Sequence, residues 1–273
     1  MTKLKNLIKE KINVGDIFQL GSHKLACGDC HNIELVAKLV GTDKISCILT
    51  DPPYGVEYTE GKENFGQIKK RKIILNDNIT SELDYTVFTK DWLKAIVPHL
   101  KQKNSVYIFN CDKMLFALRD GMQAAGIKFS QLLIWLKNHT VIGRKDYLPQ
   151  HELIAYGWHG THQFLKGKDK SVLCYPKPSS SSLHPTTKPV ALLRHLILNS
   201  TKLGDTVYDC FGGSGSTLIA CEHTQRKCLM MELDPEYCQT IIDRWQQVSG
   251  KRAVKITSSK SKALVTKEVV VYG

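Results

Sequence analysis

Ile45-Ser46-Cys47-Ile48-Leu49-Thr50-Asp51-Pro52-Pro53-Tyr54-Gly55 is a short apolar run that ends in an acid, two prolines and an aromatic. Its β-branched, nearly unbroken apolar character predicts a strand buried on both faces, as in the interior of a parallel sheet. Pro52 and Pro53 cannot donate to a strand ladder, so the chain must leave the sheet there. Asp51 and Tyr54 then fall at the carboxyl end of a strand, the edge where open α/β sheets hold their ligands. Taken alone, the same residues also suit a strand followed by an ordinary proline-rich turn.

A second stretch adds weight to the first reading. Asp205-Thr206-Val207-Tyr208-Asp209-Cys210-Phe211-Gly212-Gly213-Ser214-Gly215-Ser216-Thr217-Leu218 reads as a strand, a glycine-rich turn and the start of a helix. Such a helix start offers free backbone N–H groups and a positive dipole end to an anion, and the glycines let a ligand approach the backbone. Cys228-Leu229-Met230-Met231-Glu232-Leu233-Asp234 predicts the next strand, closed by acids about 20 residues beyond the glycines, where a ribose-binding carboxylate belongs. A nucleotide-like cofactor is implied.

Asp51-Pro52-Pro53-Tyr54 together with Asp209-x-Phe211-x-Gly213-Ser214-Gly215 resembles the exocyclic-amino DNA methyltransferases, which move a methyl group from S-adenosylmethionine to adenine N6 or cytosine N4. The block around Asp51 precedes the glycine block, an order similar to the permuted β group of that family. The likeness runs from about Gly15 to Gly250; Cys210 stands where the family usually has Pro, and Ser216 where Thr is usual.

The resemblance implies a Rossmann-like, doubly wound, mostly parallel α/β sheet with helices on both faces, in circularly permuted order. It implies catalytic positions at Asp51, Pro52, Pro53 and Tyr54. Cofactor-binding positions fall at Asp29, Asp51, Thr186, Lys188, Asp209, Phe211, Gly213, Ser214, Gly215, Thr217 and Glu232. Asp29, which closes Lys24-Leu25-Ala26-Cys27-Gly28-Asp29, matches the family acid that binds the adenine amino group of the cofactor. His184-Pro185-Thr186-Thr187-Lys188-Pro189 resembles the motif covering the cofactor's methionine end. Pro189 suits a first helical position, and a well-capped helix explains the same residues without a ligand. The implied partners are double-stranded DNA and S-adenosylmethionine, with a homodimer and a cognate restriction endonuclease as further ones; an Asp before Pro-Pro-Tyr favours adenine over cytosine.

The remaining chain fits one large α/β unit. A single domain over residues 1–273 is expected, with a mobile active-site loop at 55–80, a short target-recognition region at 139–184 and a basic tail at 251–273. Helical spacing predicts helices over Ile33 to Val40, Trp92 to Leu100, Met114 to Ala125, Val190 to Thr201 and Asp234 to Trp245. Strands are expected over Ser105 to Phe109 and Gln131 to Leu136. Tyr156 to Leu183 is polar and basic and reads as loop or linker. Trp135 reads as a core aromatic, and Tyr147 as a candidate wall of the base pocket.

The formal net charge of +12 points to a polyanionic partner, though solvating lysines give the same balance. No apolar segment has the length to cross a bilayer, and a soluble, cytoplasmic protein is expected. Nine scattered cysteines suggest reduced, buried thiols, and Cys27-x-x-Cys30 lacks the second pair that a zinc site needs, so no metal is expected. Two rival functions stay open. A nicotinamide-dependent oxidoreductase would lack the third small residue of its fingerprint at Leu218. A DNA-binding regulator with a dead cofactor site would have no use for the acids at 29, 51 and 232.

Overall fold

The computed structural model describes residues 11–54, 81–140, 146–177 and 188–257. The expected 55–80 loop, the Thr186 position and the tail beyond residue 257 lie outside the described residues. The strands are β1 (Ile17–Leu20), β2 (His23–Cys27), β3 (Ile45–Thr50), β4 (Leu100–Asn110), β5 (Lys128–Leu136), β6 (His151–Trp158), β7 (Thr161–His162), β8 (Val172–Cys174), β9 (Thr206–Asp209), β10 (Lys227–Glu232) and β11 (Val254–Thr257). The helices are α1 (Ile33–Val40), α2 (Glu82–Ile96), α3 (Leu115–Ala124), α4 (Val190–Ser200), α5 (Ser216–Thr224) and α6 (Pro235–Ser249).

One sheet carries them in the order β11-β1-β2-β10-β9-β3-β4-β6-β5-β8, with β7 beside β4. The middle of this order, from β2 to β4, is parallel throughout. All six residues of β3 are buried, as its unbroken apolar run requires of a strand covered on both faces. Both flanks turn antiparallel, β1 and β11 on one side, β6 and β5 on the other.

Alternation along the strands feeds two cores. Leu49, Tyr107, Val207 and Met230 point to the face covered by Leu192, Leu196 and Ile197 of α4, Leu218 of α5 and Ile241 and Trp245 of α6. Ile48, Val106, Ile108, Tyr208 and Leu229 point to the face covered by Val36 and Leu39 of α1, Trp92 and Leu93 of α2 and Leu118 of α3. Each such side chain withdrawn from water contributes roughly 1.5–3 kcal/mol before entropy is counted. The result is the doubly wound α/β sheet that the sequence implies.

Three expectations shift. α2 starts at Glu82, well ahead of Trp92, because the Ser81 hydroxyl caps it by accepting from the Asp84 N–H at 3.0 Å, and Tyr85, Phe88 and Trp92 continue its buried stripe. Val97–His99 then forms a short 3-10 turn and Leu100 already belongs to β4. The stretch from Tyr156, expected as linker, instead completes β6 and later supplies β7 and β8. Ala155 and Tyr156 pair with Ile108 and Tyr107, and the Tyr107 and Tyr156 rings lie 4.9 Å apart. Pro189 is the residue before α4 rather than its first: its ψ is 123°, while its carbonyl accepts from the Leu193 N–H at 3.2 Å. No described helix is long and apolar enough to cross a membrane.

Candidate active site at the carboxyl edge of the sheet

Four neighbouring parallel strands end in acids on the same edge. β2 runs through Gly28 to Asp29, β10 ends at Glu232, β9 at Asp209, and β3 delivers Asp51. From β3 the chain moves on to β4 in one direction across the sheet, and from β9 to β10 in the other, so the strand order reverses between β9 and β3, the place where such sheets open a crevice.

The turn after β9 is shaped by its glycines. Gly215 has φ +77°, left-handed backbone, and a Cβ there would press on Ile241 at 3.1 Å. Glu232 reaches across to this turn: its Oε2 accepts from the Gly213 N–H at 2.7 Å and its Oε1 from the Asp234 N–H at 2.9 Å. Burial nevertheless pushes its carboxyl up to about 7. Asp209 is 3% exposed and accepts from the Thr50 hydroxyl at 2.7 Å and the Phe211 N–H at 3.2 Å. Burial raises it to about 7 as well, against the hydrogen bonds from Thr217 and Thr50. Ser214 and Thr217 are buried, and Arg244 of α6 donates to the Ser214 carbonyl at 2.8 Å and the Ser216 hydroxyl at 3.1 Å.

An aromatic wall rises beside the turn. Phe211 meets Phe88 at 5.9 Å and Trp92 edge-on at 5.6 Å, and His31 packs on Phe88 at 5.1 Å. Asp29 lies at its rim, half exposed, with Oδ1 2.7 Å from His31 Nδ1 and 2.9 Å from the His31 N–H. Asp29 lifts the His31 imidazole to about 10, and His31 in turn lowers the Asp29 carboxyl. Cys30 brings a thiol to the same group, its Sγ 4.0 Å from His31 Nδ1.

The other half of the edge is a chain of alternating charges. Asp51 accepts from the Tyr54 hydroxyl at 2.6 Å on Oδ1 and from Lys188 Nζ at 2.6 Å on Oδ2. Lys188 also lies 3.0 Å from Glu152 Oε2, and Lys137 Nζ 2.7 Å from Glu152 Oε1. The Lys188 ammonium further sits 3.2 Å from the Tyr54 oxygen and 5.0 Å over the Phe109 ring. Burial would raise Glu152, yet Lys188 and Lys137 hold it down to about 2. Burial would depress Lys188, and its two carboxylates outweigh that and raise it. For Asp51, burial wins and its carboxyl stands above the usual range. Burial keeps the Tyr54 phenol protonated far above neutrality, as a donor must be.

The structure therefore gathers Asp51, Tyr54 and Lys188 at one point, and Asp209, Glu232 and the Gly213–Gly215 turn at a second, with Asp29 and Phe211 bordering it. Pro52 is buried and Pro53 half-buried behind Asp51. Tyr147, expected to wall the base pocket, stands 91% exposed. Trp135 is 1% exposed and donates its indole N–H to the Tyr175 carbonyl, a core residue as expected. Glu152, Lys137, His31, Phe88 and Arg244 have no individual role in the sequence reading. Lys137 and Glu152 fall in the stretches Ile134-Trp135-Leu136-Lys137-Asn138 and His151-Glu152, which resemble the family's segment shaping the target-base pocket, and that resemblance assigns neither residue a role.

Comparisons with known proteins bear on the family and the fold. A family model described as DNA methylase, covering adenine-N6 and cytosine-N4 methyltransferases by its name, matches residues 45–243. The chain is 26% identical over 242 residues to the type II methyltransferase M.HpaI of Haemophilus parainfluenzae, covering 79% of this chain and 72% of the relative. Among solved structures, the M1.HpyAVI–SAM complex superposes with a TM-score of 0.59 at 22% identity, over 81% of this chain and 98% of that one. The cytosine-N4-specific PvuII DNA methyltransferase gives a TM-score of 0.61 at 18% identity, over 84% and 94%. At those identities the two structures speak for the fold.

Proposed function

The chain belongs to the N6/N4 DNA methylase family, and we propose that it transfers a methyl group from S-adenosylmethionine to the N6 amine of an adenine rotated out of double-stranded DNA. The observation that carries this reading is the placement of Asp51 beside the glycine turn, on adjacent strand ends β3 and β9. An acceptor for the target amine and a cradle for a nucleoside cofactor then share one edge.

The residues fit such a cofactor. The Gly213–Gly215 turn bears no side chain that would bar close approach, Phe211 and Phe88 offer an aromatic wall, and the half-exposed Asp29 carboxylate can accept from an adenine amine. Lys188, just ahead of α4, has a charge suited to the cofactor's carboxylate. When bound, the cofactor supplies the electrophilic methyl group.

Adenine N6 is a poor nucleophile because its lone pair is delocalised into the ring. Hydrogen bonds from its N–H groups to the Asp51 carboxylate and the Pro52 carbonyl pull the nitrogen toward tetrahedral geometry and return the lone pair to it. Tyr54 offers its ring to the extruded base, whose reacting atom is out of reach inside the stack. Holding amine and methyl in line supplies much of the remaining barrier reduction. The reading places the protein in the cytoplasm with its DNA, and leaves room for a homodimer and a cognate endonuclease.

The experiment is direct. DNA from cells expressing the protein is digested to nucleosides and analysed by mass spectrometry, with N6-methyladenine expected. N4-methylcytosine alone would overturn the adenine assignment, since the same acceptors serve either amine. Neither product, with cofactor bound, would point to RNA or protein as substrate.

A further inference from the structure

Both Asp51 oxygens are occupied, one by Tyr54 and one by Lys188, so the target amine must compete for a place on this carboxylate. How strongly Lys188 grips Asp51 therefore governs how well Asp51 can accept. Lys188 is not held by Asp51 alone: Glu152 Oε2 reaches it at 3.0 Å and also lies 3.3 Å from the Tyr54 hydroxyl, and Lys137 holds the other oxygen of Glu152 at 2.7 Å. The side chains of Lys188 and Lys137 are 8% and 4% exposed and those of Asp51 and Glu152 24% and 20%, so the row is partly buried and screened less than charges at the open surface.

We propose that Glu152 is a positioning residue for methyl transfer: it draws the Lys188 ammonium away from Asp51, and Lys137 sets how hard it draws. Glu152 lies on β6, Lys137 immediately beyond β5, and Lys188 ahead of α4, so residues from three separate parts of the chain tune one carboxylate at the end of β3. In an alternating row of charges, removing one member strengthens the bonds of its neighbours to what remains. Without the Glu152 charge, Lys188 belongs wholly to Asp51, which becomes a weaker acceptor. Without the Lys137 charge, Glu152 belongs wholly to Lys188, and Asp51 is released. The two removals act on Asp51 with opposite sign.

The inference rests on the methyl-transfer reading, and wild-type turnover tests that reading separately. Single-turnover methylation of duplex DNA is followed against pH for the wild type, Glu152→Gln and Lys137→Met, with S-adenosylmethionine affinity and thermal midpoint measured on each. The acid limb of the profile reports protonation of Asp51. Glu152→Gln is expected to lower the plateau rate at least tenfold and to move the acid limb to lower pH. Lys137→Met is expected to move it to higher pH. Limbs that stay at the wild-type position, or move in the same direction, overturn the proposal, as does a loss of rate in Glu152→Gln with an unmoved limb. Should Glu152→Gln fail to fold, an upward shift in Lys137→Met supports the coupling and an unmoved limb there overturns it. A wild type without methylation of any DNA base overturns the underlying reading instead.

Discussion

Thr50, the last residue of β3, donates its hydroxyl to Asp209, the last residue of β9, at 2.7 Å in a buried setting. The strand that delivers Asp51 is thereby tied to the strand that delivers the glycine turn. Because burial raises Asp209 to about 7 from an ordinary value near 3.9, the folded protein binds its proton more tightly than the unfolded chain. Its contribution to stability is present below about pH 4 and is lost as pH rises through 7. The thermal midpoint of the cofactor-free protein should accordingly fall between pH 5 and pH 8, and Asp209→Asn should flatten that slope. Calorimetry on both proteins, with an unchanged slope in the variant, would remove Asp209 as its source.

Asp51→Ala should abolish methyl transfer while leaving cofactor affinity within roughly tenfold, about 1.4 kcal/mol, because the carboxylate acts mainly on the target amine. Turnover assays paired with titration calorimetry check both halves. Near-normal turnover in the variant would take Asp51 out of the reaction.

DNA affinity should fall steeply as salt rises, since a chain of net charge +12 that engages phosphates displaces condensed counterions. The slope of log K against log salt gives the number of phosphates neutralised. A flat plot would assign the charge to another purpose.

A duplex with a mismatch at the target adenine should bind more tightly than the paired duplex, because extrusion then costs less. Fluorescence of 2-aminopurine at that position should rise on binding. Equal affinities and a dark probe would speak against rotation of the base.

What the sequence discloses is what the chain encodes locally. A strand that ends in two prolines, a glycine turn that opens a helix and the apolar spacing of Ile33–Val40 each depend on residues a few positions apart, and each stands where expected. Element ends fared less well where a cap decides them, as Ser81 does for α2. β6 was hidden because the polar His151 and Glu152 open it and Gly157 interrupts its apolar run, although its neighbours β4 and β5 enclose it. The row from Asp51 to Lys137 was illegible for a different reason. Lys188 and Asp51 are 137 positions apart, and a charge pair formed across a sheet leaves no spacing in either partner's surroundings.

The position of β3 has a consequence for synthesis of the chain. β4, one of its neighbours, follows soon after it, whereas the other, β9, leaves the ribosome only after β8 and α4 have been made. Until then one edge of a strand buried on both faces in the final protein offers its N–H and C=O groups to any passing segment. The nascent chain should thus be most prone to misassociation, and most in need of a chaperone, in the interval between these two strands.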